Sequence, residues 1–108
     1  MVMQIKISFH VLTHKEGSER KNGIKVPSKW MVYIGNEVFT SKLMKCFLDE
    51  NLGVELEYIK LGSEAVGFFE FLMPETVGEL LSVGQDIKIG EGPLNAIIAV
   101  GKVEEILP

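Results

Sequence analysis

Val83-Gly-Gln-Asp-Ile-Lys-Ile-Gly-Glu-Gly-Pro-Leu-Asn-Ala-Ile-Ile-Ala-Val-Gly-Lys-Val-Glu-Glu-Ile106 reads as two strands, 85–90 and 95–106, joined by a Gly-Pro turn. Its glycines fall where a small barrel needs tight bends. In the second strand Ile98, Val100 and Ile106 share one parity, and Ile97, Ala99 and Val103 share the other. That pattern predicts burial on both faces for part of the length.

Working back from there, residues 75–82 have room for one helical turn with Leu80 and Leu81 inward. Ala65 to Met73 is nearly all apolar, too short for a membrane span, and predicts a strand buried on most of both faces. Val54, Leu56 and Tyr58 alternate with Glu55 and Glu57, which predicts a half-buried strand with the glutamates outward. Residues 40–51 fit either element. Leu43, Met44, Phe47 and Leu48 make a helical face behind an N-cap at Thr40 or Ser41, whereas Met44, Cys46 and Leu48 make a strand face.

Trp30 to Phe39 is aromatic and β-branched around Gly35-Asn36, a pair suited to a tight hairpin turn. Residues 13–29 are polar, basic and glycine-containing, and predict a long surface loop. At the start of the chain, Met3, Ile5, Ile7, Phe9 and Val11 alternate with Gln4, Lys6, Ser8 and His10, the clearest strand pattern present. Six or seven short strands punctuated by glycine predict an all-β fold, a small antiparallel barrel, with one domain over 1–108. Closing such a sheet removes its exposed edges.

With 108 residues, 46% hydrophobic and 24% charged, the chain can bury one core without disulfide or metal support. Its single cysteine, Cys46, forbids an intramolecular disulfide and suits a reducing compartment. No apolar run approaches a membrane helix, and the alternating start is unlike a signal peptide. The expected setting is cytoplasmic, with no membrane partner. A net charge of −4 disfavours nucleic acid as a partner.

Chemistry-bearing residues are sparse. On one strand face His10 and His14 would stand about 13 Å apart, too far for a shared metal. Cys46 has no neighbouring base, and an unpaired cysteine is usually a small buried hydrophobe. Glu55, Glu57, Glu104 and Glu105 suit solvated strand faces. Gly90-Glu-Gly-Pro93 precedes a strand, so it is not the strand-to-helix loop that cradles phosphate. The expectation is therefore no catalytic residue, no metal and no cofactor. The one basic cluster holds Lys15, Arg20, Lys21, Lys25 and Lys29, with Trp30 at its border. Arg20, Lys21, Lys25, Lys29 and Trp30 are the candidate binding residues, although Glu16 and Glu19 offset part of the charge. An ordinary solvated loop with Trp30 in the core is the competing reading.

The tail also resembles the third domain of elongation factor Tu and related translation GTPases. Ile87-Lys-Ile89-Gly-Glu91-Gly92 is similar to that family's penultimate segment, and Ile97-Ile-Ala-Val-Gly101-Lys-Val103-Glu-Glu-Ile106 to its final one. Pro74 and Val83-Gly84-Gln-Asp86 resemble the loop before them. Lys15-Glu16-Gly17-Ser18-Glu19-Arg20 resembles the loop after the family's first strand. The resemblance implies a closed barrel and favours a strand at 40–48. It does not imply a GTPase, since no Gly-x-x-x-x-Gly-Lys-Ser/Thr occurs. The family's two arginines are absent at Gly90-Glu91-Gly92-Pro93-Leu94, and its tRNA-contacting segment has no equivalent around Ser28-Lys29-Trp30-Met31. The expected role is a non-enzymatic module that binds a protein partner, with self-association open. The alternative is a tRNA- or RNA-binding accessory of translation.

Overall fold

An alternating strand needs a neighbour on each side before its apolar parity has a core to face. The computed structural model describes residues 3–18, 22–48, 53–71, 79–91 and 96–107. Its strands are β1 (Met3–Val11), β2 (Ile24–Lys25), β3 (Ser28–Ile34), β4 (Glu37–Phe47), β5 (Tyr58–Ile59), β6 (Glu64–Phe71), β7 (Asp86–Glu91) and β8 (Ala96–Leu107). A single 3-10 turn, His14–Glu16, follows β1.

Six strands close a barrel in the order β1-β6-β4-β3-β7-β8, every pair antiparallel, and β8 returns to β1. The all-β barrel expected from the sequence is therefore present. Ile5, Ile7, Phe9 and Val11 of β1 face the interior, as their parity predicts. They meet Val32, Ile34, Leu43, Phe69, Ile87, Ile89, Ala99 and Val103 from the other strands. Phe69 meets Phe9 edge to face, with ring centroids 5.8 Å apart and planes at 75°. Side chains fill the interior as in other small barrels.

β3 and β4 form a hairpin across Gly35-Asn36, with Ile34 opposite Glu37 and Gly35 at φ 60°. That left-handed backbone suits glycine, as the dipeptide predicts. The ambiguous 40–51 segment is strand through Phe47; its last residues, 49–51, lie outside the described residues. Phe39, Ser41 and Leu43 face inward, then a β-bulge between Leu43 and Lys45 shifts the register, and Cys46 is the next residue inward. Two more irregularities lie on β8, against β1 and against β7. The one against β7, which leaves Ile98 between the pairs Ile89–Ala99 and Gly90–Ile97, explains why Ile98 and Ala99 are both buried while Val100 is exposed.

Several expectations need correction. The 13–29 segment is not one loop: it contains the 3-10 turn, β2 and the start of β3, because Ile24 has a buried place to go. The 54–60 stretch is not a half-buried strand of the barrel. Only Tyr58–Ile59 and one bridge, Phe47 to Glu55, are paired, and Val54 is 79% exposed. Tyr58 faces solvent and Ile59 faces the core, the reverse of the predicted parity. Of the helical turn expected over 75–82, residues 79 and 80 are helical, but Leu80 is exposed while Leu81 packs on the core, and residues 75–78 are outside the described residues. So are residues 92–95 of the Gly-Pro turn. Among the described residues no helix is long and apolar enough to cross a membrane.

Candidate binding groove

The two-stranded ribbon β2–β5 lies outside the barrel sheet, with Ile24 opposite Ile59 and Lys25 opposite Tyr58. Ile24 and Ile59 are buried in the core, so Lys25 and Tyr58 point away from it. Close approach of the two backbones depends on Gly23. A Cβ there would lie 1.9 Å from the Ile59 carbonyl oxygen. The Gly23 N–H donates to Tyr58 Oη at 2.7 Å, and the Val26 N–H donates to the Glu57 carbonyl at 3.0 Å. These bonds hold the Tyr58 ring, 44% exposed, in one place.

After a cis Val26–Pro27 bond the chain enters β3. Ser28 Oγ donates to the Lys25 carbonyl at 2.5 Å, and Trp30 Nε1 donates to Ser28 Oγ at 2.5 Å. Behind Trp30, the buried Ser41 hydroxyl donates to its carbonyl at 3.0 Å. Between ribbon and barrel lies an open groove of about 690 Å³, within the range typical of ligand sites. Trp30, only 7% exposed, lies at its floor, Tyr58 forms a wall, and Lys25 and Glu57 put one charge of each sign on its lining.

Of the candidate residues, Lys25 and Trp30 line this groove, while Lys29 is exposed one residue from Trp30 on the outer wall of β3. Arg20 and Lys21 are outside the described residues. Trp30 is buried, as the competing reading held, whereas the ordinary solvated loop of that reading is replaced by the 3-10 turn and β2. Sequence reasoning missed Tyr58, Gly23 and Ser28. The signal for Tyr58 was its neighbour, since burying Ile59 forces Tyr58 outward.

A second groove, about 490 Å³, runs over the outside of β3, β7 and β8. It has fewer converging polar groups: Lys102 and Asp86 on its lining face each other at 3.5 Å. His10 is hydrogen-bonded through one ring nitrogen only, since its buried Nδ1 has no hydrogen-bond partner among the described residues. His10 Nε2 sits 2.8 and 2.9 Å from the two Glu16 oxygens, and its Nδ1 is 3.4 Å from Glu64 Oε1. His10 is thus half-buried between two carboxylates. Ser8, two residues away on the same face, donates instead to Glu104 Oε1 at 2.6 Å. The His10 bond, then the Thr13 N–H, hold the Glu16 carboxyl below its ordinary pKa. Cys46 is fully buried, and burial pushes its thiol up to about 12, so the nucleophilic thiolate is suppressed. Among the described residues no cluster of three or more His, Cys, Asp or Glu side chains could hold a metal.

No protein-family model matches the chain, and no curated protein matches it significantly. The likeness to the elongation-factor barrel rests on the residues quoted for it. What the groove offers chemically is an aromatic surface, a fixed Tyr58 ring and two opposite charges.

Proposed function

We propose that this barrel is a non-enzymatic binding module that takes a short peptide segment of a protein partner in the groove beside the β2–β5 ribbon. The observation that carries this reading is the Tyr58 ring, held outward by the Gly23 N–H over a groove floored by Trp30. A pre-positioned aromatic loses little entropy on binding, and such anchors dominate peptide and protein recognition. Lys25 and Glu57 supply one charge of each sign, which suits a peptide better than a phosphate backbone. The buried Cys46 supports a non-enzymatic role, and its thiol fits the cytoplasm.

A random dodecapeptide display library tests this. The expected result is a consensus containing an apolar or aromatic side chain, whose binding falls about tenfold or more for Tyr58→Ala, the scale of a single anchor. Enrichment that is equal on wild type and Tyr58→Ala would overturn it. The alternative, an RNA-binding accessory of translation, would use Lys25, Lys29, Arg20 and Lys21. Tight, salt-sensitive tRNA binding together with no peptide consensus would favour that alternative.

A further inference from the structure

A different face of the barrel gathers four lysines, Lys6, Lys29, Lys42 and Lys45. Lys29 on β3 stands directly opposite Lys42 on β4. Like charges so placed destabilise a sheet. Farther along, Lys45 of β4, Phe68 of β6 and Lys6 of β1 form one row across three strands. The β-bulge at Met44 makes this possible. Without it Lys45 would follow Ser41 and Leu43 into the core; with it Lys42 and Lys45 are both exposed. Bulges commonly re-aim side chains in this way.

The described ion pairs are His10 with Glu16 and Glu64, and Lys102 with Asp86, so none of these lysines takes part in one. Glu70, on β6 inside this wall, lies opposite Lys42, and Glu105 of β8 lies opposite Lys6 at its edge. In a chain of net charge −4, this wall runs against the overall sign. Phe68 sits partly buried in its middle, edge to face with Phe47 at 6.1 Å.

We propose that the outer wall of β3-β4-β6-β1 is a docking surface for a short acidic segment of a partner protein, carrying one apolar side chain that seats against Phe68. Charge complementarity selects the acid, and the row Lys45–Phe68–Lys6 places an apolar contact between two ammonium groups. Four adjacent strands span only ~14 Å. A longer polyanion would run past the patch onto Glu105 on one flank, so a nucleic-acid strand fits less well than a peptide. All four cations are lysines, point charges without the fork that Arg uses for bidentate phosphate.

The probe is a fluorescein-labelled twelve-residue peptide of Asp and Glu with one central Phe, titrated by anisotropy at low salt. Expected is saturable binding that weakens as salt rises. It should fall at least tenfold for Lys42→Glu/Lys45→Glu and stay within twofold for Lys88→Glu/Lys102→Glu, the same charge change on the β7–β8 wall. If the first double variant does not fold, Lys29→Gln/Lys45→Gln replaces it, with at least a threefold loss expected. The proposal is overturned by no saturable binding, by equal losses for both walls, or by tighter binding of oligouridylate or phosphatidylserine vesicles.

Discussion

Two stretches of this chain alternate in sequence, and only one alternates in space. In β1, Ile5, Ile7, Phe9 and Val11 are buried, and the strand is laddered to β6 on one side and β8 on the other. Between Val54 and Tyr58 the pattern is as regular, yet Val54 and Tyr58 are exposed, and pairing is limited to β2 and one bridge. Period-2 patterning states what a strand could bury. The neighbours decide whether there is anything to bury it against.

The comparison is open to attack, and the largest effect belongs to the barrel. Phe69→Ala should cost about 3–5 kcal/mol in urea unfolding, because a fully buried ring leaves a cavity that packed strands cannot close. Next comes a pair of glycines. At Gly101 an added Cβ would lie 2.3 Å from the Ser8 carbonyl oxygen, and at Gly23 1.9 Å from that of Ile59. Gly101→Ala should cost about 1–3 kcal/mol or more, since β8 must then move away from β1. Gly23→Ala, despite the tighter clash, should leave the barrel's unfolding midpoint nearly unchanged while amide exchange rises in residues 23–26. Equal global losses would make the ribbon part of the barrel's cooperative unit.

Cys46 tests the wall from inside. Its folded pKa is raised from 9.0 to about 12, so its contribution is complete below 9.0 and is lost as pH climbs from 9.0 towards 12. Stability measured against pH should fall across that window, less so in Cys46→Ala, and the native thiol should resist a disulfide reagent until the barrel unfolds. Val54→Ser should change stability by no more than about 0.5 kcal/mol, as for other exposed positions; a larger loss would mean the stretch is buried after all. The smallest effect is at Glu16. Its folded pKa lies below 4.5, so its hold on His10 and the Thr13 N–H is present above 4.5 and lost as pH falls through the folded value. Carbonyl shifts followed by NMR should report a midpoint below 4.5, and His10→Ala should raise it.

Much of the barrel was legible because its strands carry their own evidence. Gly35-Asn36 marks a hairpin, and the aliphatic run at 97–103 marks a strand, but not one buried on both faces: Val100 is exposed, and Ile98 and Ala99 are both buried because of the bulge against β7. The groove was less legible. Tyr58 faces out only because Ile24 and Ile59, far apart in sequence, meet across the ribbon. The lysine wall was invisible for a related reason. Lys42 and Lys45 have opposite parity along the chain, and the bulge that unites them is a property of β4's pairing with β6.

The meeting of β1 with β8 also sets a schedule. Ladder partners such as Phe9 and Gly101 come from opposite ends of the barrel sequence. As the chain leaves the ribosome, β1 is made first and the strand that covers its free side is made last. Until β8 arrives, the nascent sheet has two open margins with unpaired N–H and C=O groups, the configuration most inviting to another chain. The molecule's most vulnerable moment is thus fixed by topology, and it ends only when its final strand docks beside its first.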